Sequence, residues 1–389
     1  MKKINNISNW LSSIKKKKIF LVKKKKLSNL KKWKISKNNI HHQSGKFFKI
    51  IGVKIKSNYF KNSTWEQPLV NQNEIGILGI LRRKYKNKFE YLIQAKIEPG
   101  NINTVQFSPT VQATKSNMNR VHSGKKVKYL NFFKNAKKRN ISISLLQSEQ
   151  GERYLFKFNK NMIVDTDKNL KIGNNYIWLT KYELKKLINK NNLLNMDCIS
   201  VFSCAIEKNI LNFLKYSLLE IKKWFKKLDK KYFVKRKILP LSKLKNWKFN
   251  KGNFCHKNDK YFSIVGVTVR ADSREVSMWD QPMIREKNIG LSGFIVKKVN
   301  STYHYLVRFS LKPGLKNSGL SCTVRTSDMK NCLKNKNYPS LMKDHIKKYF
   351  TNTTNSKIIY NKIQSDEGGR FFHSRSKNIV VQISEKEKI

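Results

Sequence analysis

The chain has 389 residues, with 83 Lys plus Arg against 24 Asp plus Glu and a net charge of +59. Lys accounts for 70 of the bases, Arg for only 13, and Asn reaches 43, so part of the charge reflects a compositional bias rather than selection for an anionic partner. Hydrophobic residues make up 39% and aromatics 11%, which excludes wholesale disorder, and no apolar run approaches the roughly 18 residues of a membrane span.

The N-terminal 65 residues hold 19 Lys and no Asp or Glu. Ser8–Lys18 reads as a short basic helix with Trp and aliphatic residues on one face. Phe47–Ile55 alternates and is β-branched, so it reads as a strand. Ile75–Arg83 and Tyr91–Ile97 follow as strands, with the polar Lys84–Glu90 between them as a turn. Pro68, Pro99 and Gly100 are expected to shape turns. Lys181–Asn189 reads as a helix with Thr180 as its N-cap. Glu220–Lys231 and Tyr261–Val269 then restate the first helix and the first strand. Interleaved helical and sheet segments place the chain in the α+β class.

That restatement is a repeat. A shift of 214 residues superposes Trp10 on Trp224 and Trp33 on Trp247, and pairs Lys46–Gly100 with Lys260–Gly314 without a gap. Identities fall on 17 of those 55 positions, among them Gly52/Gly266, Trp65/Trp279, Gln67/Gln281, Pro68/Pro282 and Gly100/Gly314. Further on, Gln147-Ser148 pairs with Gln364-Ser365. The expected organisation is a first copy over 1–216 and a second over 217–389 that stops short of the first copy's closing helical section. The basic N-terminus matches the interior segment 218–279, which carries Glu220, Asp229, Asp259, Asp272 and Glu275, so it is read as part of a folded module and not as a targeting peptide. The five cysteines are scattered and contain no CxxC pair, which fits a reducing cytoplasm and argues against a zinc cluster.

The densest chemistry lies between Trp65 and His122. On a strand over 91–97, Gln94, Lys96 and Glu98 share one face. Gln106, Ser108, Thr110, Gln112 and Thr114 repeat the alternation as a second polar strip. A solvent-facing sheet surface gives the same periodicity. Here, however, the strip keeps Gln, Ser, Thr and Glu in a chain whose exposed positions are mostly Lys and Asn.

The strings Trp65-Glu-Gln-Pro68, Gln94-Ala-Lys-Ile-Glu-Pro-Gly-Asn101, Gln106-Phe-Ser-Pro-Thr-Val-Gln-Ala-Thr114, Asn117 and Arg120-Val-His122 resemble the signature of the NDP-hexose 2,3-dehydratases. The resemblance implies two Nudix-like domains in tandem without the hydrolase metal box, a homodimer, and action on dTDP-4-keto-6-deoxyglucose in deoxysugar biosynthesis. That chemistry needs a base for the C3 proton, an acid for the C2 hydroxyl and stabilisation of the C4 enolate. Glu98 is the first candidate base, with His122 as base or acid. Lys96, Gln94 and Gln112 are candidates for the enolate oxygen or sugar hydroxyls. Arg120 suits the diphosphate, and Trp65 suits the base or sugar, although a repeated Trp is more often a core residue than a ligand platform. Gln67, Gln106, Thr110, Thr114 and Asn117 complete the expected substrate contacts. No cofactor or metal motif is present. Two alternatives stand beside this reading: a catalytically decayed nucleotide-sugar binder or scaffold, and a basic nucleic-acid-binding protein. No recognised nucleic-acid motif supports the last beyond incidental polyanion binding.

Copy two departs from the strip. Gln94, Lys96, Glu98 and Gln112 correspond to Arg308, Ser310, Lys312 and Arg325. The second strip has therefore lost its carboxylate, and chemistry is expected in copy one. Ile199 also stands where the family pattern leads one to expect a basic residue.

Overall fold

Each copy builds one largely antiparallel and one mixed sheet, in a computed structural model that describes residues 2–60, 63–121, 124–167, 169–205, 216–272, 274–336, 338–351, 356–387 and 389. In copy one the antiparallel sheet runs through Trp33–Ile35, Asn39–His42, Lys49–Ser57 and Ser63–Asn71. Its mixed sheet is ordered Ile141–Ser148, Phe158–Asp165, Ile75–Tyr85, Lys88–Ile97, Tyr176–Thr180, with Phe158–Asp165 parallel to Ile75–Tyr85. Copy two repeats both in outline, including a parallel pair between Gly290–Val299 and Arg375–Ile383, but Arg308–Ser310 and Gly319–Ser321 stand apart as a two-stranded sheet.

The expected helices are present as Lys2–Lys16, Lys181–Ile188 and Leu218–Lys231. Thr180 closes a capping box with Glu183, satisfying backbone donors at both positions. Two expected turns are corrected. Lys84–Glu90 is mostly strand: Lys84 lies opposite Phe89 and Tyr85 opposite Lys88, and the turn shrinks to Lys86-Asn87. Both of those residues adopt positive φ, 44° and 59°, the geometry that matches the twist of a tight hairpin. Pro68 lies inside Ser63–Asn71, opposite Gly52. A proline is tolerated there because this strand is paired along its length on one side only.

The two copies exchange strands. Phe20–Lys25 of copy one pairs with Phe262–Ala271 of copy two, Phe20 opposite Ala271 and Lys25 opposite Gly266. Reciprocally, Val234–Leu239 pairs with Lys49–Ser57, Val234 opposite Ser57 and Leu239 opposite Gly52. The repeat shift converts one register into the other, so the halves are related by a local two-fold. Gly52 and Gly266 admit the incoming strand. A Cβ at Gly52 would lie 2.7 Å from the Leu239 carbonyl oxygen, and one at Gly266 2.5 Å from that of Lys25.

The repeated Lys-x-Trp segments, Lys31-Lys-Trp33 and Lys245-Asn-Trp247, serve the same interlock. Trp33 Nε1 donates to the Asp280 carbonyl at 2.7 Å, and Trp247 Nε1 to that of Glu66 at 2.9 Å. A single apolar core then spans both copies, with Leu27, Trp33, Phe48 and Tyr154 packed among Trp247, Phe262 and Phe371. Each fully buried side chain of this size contributes about 1.5–3 kcal/mol, so the shared core ties the halves into one cooperative body.

The copies differ in what covers the mixed sheet. In copy one, Lys2–Lys16, Lys181–Ile188 and Met196–Ser203 pack on one face, burying Ile7, Leu11, Leu184, Leu194 and Val201, with Trp10 stacked on Phe107 at 6.1 Å. In copy two, Leu218–Lys231 buries none of its residues. No described helix is long and apolar enough to cross a membrane.

Candidate active site

Copy one gathers the centre of its predicted strip and seals it. Lys96 Nζ lies 3.2 Å from Glu98 Oε1, which also accepts from Gln112 Nε2 at 3.1 Å. Gln112 Oε1 in turn accepts from Asn195 Nδ2 at 3.3 Å and from the Ser108 hydroxyl at 3.2 Å. Gln106 Nε2 donates to the Ser365 hydroxyl of copy two at 2.9 Å. The strip is closed to solvent: Gln106 is 0% exposed, Glu98 2% and Lys96 9%. Glu98 Oε2 has no hydrogen-bond partner among the described residues.

Two covers produce this burial. One is the segment around Asn195 and helix Met196–Ser203. The other is the copy-two loop 366–373, locked by Gly100 N donating to the Gly368 carbonyl at 2.8 Å and His373 N to that of Gly100 at 3.0 Å. A Cβ at Gly100 would collide with the Phe371 carbonyl oxygen, which is why the position is glycine. The closed chamber concentrates carboxylates. Burial, then the nearby Glu98 charge, pushes Glu367 up to about 7. Burial raises Asp197 well above the carboxylate range and raises Glu149 as well. The Tyr154 hydroxyl donates to Glu367 Oε2 at 3.2 Å.

The rest of the predicted set lies elsewhere. The second strip is not continuous, because the chain crosses at Pro109 from pairing with Lys88–Ile97 to pairing with Ile75–Tyr85. Thr110 therefore donates to the Leu92 carbonyl and accepts from Leu81 N at 3.0 Å, stitching backbone. Thr114 N-caps the short helix Lys115–Met118, and its hydroxyl donates to Asn117 Oδ1. Asn117 and Arg120 line a separate cavity of about 300 Å³, and Arg120 Nε donates to the Gly124 carbonyl at 3.2 Å. Gln94 is half-buried, opposite Ser108 in the sheet. His122 falls outside the described residues.

Trp65 and Gln67 face the other copy's strip. Trp65 Nε1 donates to Gln67 Oε1 at 2.9 Å, and Gln67 Nε2 to the Glu152 carbonyl at 2.9 Å. Trp279 and Gln281 hold the Gly369 carbonyl in the same way, at 2.8 and 2.7 Å. The repeated Trp-x-Gln-Pro motif thus props, in each copy, the loop that reaches into the other.

The strip of copy two opens onto a cavity of about 290 Å³ between the halves. Arg308, Ser310, Lys312 and Arg325 form its copy-two wall, Trp65, Gln67, Gln150 and Glu152 its copy-one wall, and Trp247, Tyr261 and Tyr338 add aromatic surface. The loop carrying Glu152 is docked by Gly314 N donating to the Gly151 carbonyl at 2.6 Å and Phe156 N to that of Gly314 at 2.7 Å. The carboxylate that this strip lacks in its own sequence is therefore delivered from the other half. Glu152 Oε1 lies 3.2 Å from Lys312 Nζ and 3.6 Å from Arg325 Nε. Burial raises Glu152, but the charges of Lys312 and Arg325 overturn this and hold it at about 2.

A second carboxylate, Asp366, also lines the cavity and accepts from Gln150 Nε2 at 3.3 Å. Burial, then Glu286, pushes Asp366 up to about 6. Arg153 closes the wall with a bidentate pair to Glu286, at 2.6 and 3.1 Å. Sequence reading missed Gln150, Glu152 and Asp366. The available signal was the alignment of Gln147-Ser148 on Gln364-Ser365, which sets Glu152 against Gly369 where Glu98 is set against Lys312. Among the described residues, no group of three or more His, Cys, Asp or Glu is arranged to hold a metal ion.

Comparison with known proteins agrees with the motif reading. The family model described as NDP-hexose 2,3-dehydratase matches residues 4–205 and again 218–389. The chain is 30% identical over 391 residues to a dTDP-4-dehydro-6-deoxy-alpha-D-glucopyranose 2,3-dehydratase of Amycolatopsis orientalis, covering 98% of this chain and 82% of that protein. The same name is carried by relatives from Saccharopolyspora spinosa, 30% identical over 380 residues (91% of this chain, 77% of that protein), and Streptomyces violaceoruber, 31% identical over 368 residues (89% and 80%).

Proposed function

The chain belongs to the NDP-hexose 2,3-dehydratase family, and from that premise we propose that it eliminates water across C2–C3 of dTDP-4-keto-6-deoxyglucose in the cavity between its halves. The observation that carries the location is the make-up of that cavity, where cations, aromatic rings and a carboxylate of raised pKa meet. Lys312 and Arg325 suit a diphosphate, and Trp65, Trp247 and Tyr261 offer surface for the base and sugar. Asp366, at about 6, is ionised at neutral pH yet basic enough to accept a proton. In the proposed reaction Asp366 takes the C3 proton and the C3–H electrons form an enolate on the C4 oxygen. Arg308 is placed on the same wall to stabilise that charge. Collapse of the enolate forms the C2–C3 double bond, and the C2 hydroxyl leaves as water with a proton from the site. The reaction is redox-neutral.

A second reading places the chemistry in copy one, as the motif suggests. It is favoured by the unpartnered, buried Glu98 Oε2 beside Lys96, and it requires the cover over Asn195 to open. Turnover of dTDP-4-keto-6-deoxyglucose with a trapping reductant separates the two. Loss in Asp366→Asn with retention in Glu98→Gln favours the cavity, and the reverse favours the strip. Binding of dTDP without turnover by the unaltered protein would favour a decayed family member.

The same reading includes two Nudix-like domains, supported by the layering of helices on both faces of copy one's mixed sheet. It also includes a homodimer, for which the exposed Leu218 and Trp224 of the under-buried copy-two helix offer apolar surface. A cytoplasmic setting fits five cysteines that form no disulfide.

A further inference from the structure

Glu152 belongs to copy one, yet its carboxylate rests on cations of copy two, at 3.2 Å from Lys312 and 3.6 Å from Arg325. Its backbone is anchored independently of that contact. The Glu152 carbonyl accepts from Gln67 Nε2 and from Arg153 Nη1, each at 2.9 Å. The loop therefore keeps its place whether or not the side chain does. Glu152 Oε2 is shielded from solvent and has no hydrogen-bond partner among the described residues, so the carboxylate is only half used where it sits.

The reciprocal position sharpens the point. Gly369 occupies the equivalent place in the loop that enters copy one's strip, and its carbonyl is held in the same way by Gln281. At this one position the residue is a carboxylate, Glu152, where the loop faces Lys312, and a glycine, Gly369, where it faces Glu98. Across the interface, Glu152 thus stands beside Lys312, the residue aligned with Glu98.

We propose that Glu152 is an internal anion that occupies the Lys312–Arg325 pair and must be displaced by the diphosphate of an incoming nucleotide sugar, so that it sets the affinity and charge selectivity of the cavity. This rests on the reading that the cavity takes the substrate diphosphate. In the resting protein Glu152 neutralises two cations that would otherwise face one another in a partly desolvated site. When a diphosphate enters, its charge takes over that role and the Glu152 side chain swings off its anchored backbone. The competition discriminates by charge: a singly charged anion gains little by displacing a carboxylate, whereas a diphosphate gains more from both cations.

Titration calorimetry on the full chain, with inorganic pyrophosphate and dTDP as probes and inorganic phosphate as the reference anion, tests this. Glu152→Gln is expected to bind both about tenfold more tightly than the unaltered protein, and to improve phosphate binding more than pyrophosphate binding, eroding the selectivity. Lys312→Gln is expected to weaken both. Glu152→Ser serves as a second variant, and an unchanged melting temperature in either verifies the fold. Weaker or unchanged pyrophosphate binding in both Glu152 variants would overturn the proposal, since Glu152 would then only hold the cations in place. If pyrophosphate binds and responds as expected while dTDP does not, the gate stands and the nucleotide reading of the cavity falls. If neither probe binds any of the proteins, the cavity reading and the gate both fail.

Discussion

Two lysine–carboxylate pairs, both at 3.2 Å, lie on the corresponding strips of the two halves. In copy one, Lys96 and Glu98 lie two residues apart on one strip, buried beneath helix Met196–Ser203. In copy two, Lys312 lies on the strip, but its partner Glu152 arrives on a loop from the other half, and the pair faces a cavity of about 290 Å³. The exchanged strands, the docked loops and the glycine turns are the same on both sides of the local two-fold. The two halves thus share a backbone plan and differ in which half supplies the carboxylate. Comparing aligned strips alone makes copy two look disarmed, whereas comparing assembled sites shows where its carboxylates come from.

The largest effect that would break this contrast is catalytic. Asp366→Asn is expected to lower turnover about a thousandfold, as loss of a general base does, while Glu98→Gln stays within about threefold, both read from product formation. Next is stability. Gly100→Ala and Gly314→Ala each drive a Cβ into a carbonyl of the opposite loop, Phe371 and Tyr154 respectively. Each is expected to cost about 3 kcal/mol in denaturant unfolding, and similar losses on both sides would show that the framework is shared even though the chemistry is not. Smaller is the binding term. Lys312→Gln should raise KM about tenfold, whereas Lys96→Gln should leave KM unchanged.

The smallest effect concerns pH, and it has two opposed slopes. Asp366, at about 6, must be ionised to act, so kcat/KM should rise as pH passes through about 6. Stability runs the other way. Glu367 is raised from its ordinary 4.5 to about 7, so between those values the folded protein holds a proton that the unfolded chain has released. Its contribution to stability is therefore present at low pH and is lost as pH rises towards 7. Melting temperatures at pH 5 and pH 8 should show this loss, and Glu367→Gln should flatten it.

The regular elements and the repeat were legible in the sequence because their signals are local. The Thr180 cap and the alternation of Phe47–Ile55 act within a few residues of where they are read, and the repeat shows in the recurrence of Trp10 and Trp33 at one fixed shift. The interlock was not legible. Phe20–Lys25 carries the pattern of a strand, but nothing in it says that its partner lies more than 240 residues away (Phe20 opposite Ala271). Pro68 misled for a related reason: a proline signals a turn unless the neighbouring edge is unpaired, and that is a property of the sheet and not of the tetrapeptide.

At the site, the Lys96–Glu98 pairing was readable from period-two spacing. The separation of Thr110 and Thr114 from it was not, because the chain changes partner strand at Pro109. Glu152 and Asp366 escaped notice because each serves a strip that belongs to a different part of the chain from its own immediate neighbours.

The location of bound dTDP decides between the two strips. A crystal structure of the full chain soaked with dTDP should place the diphosphate between Lys312 and Arg325 with the Glu152 side chain displaced. Ligand density over Lys96 and Glu98, with the cavity between the halves left without nucleotide, would contradict the account.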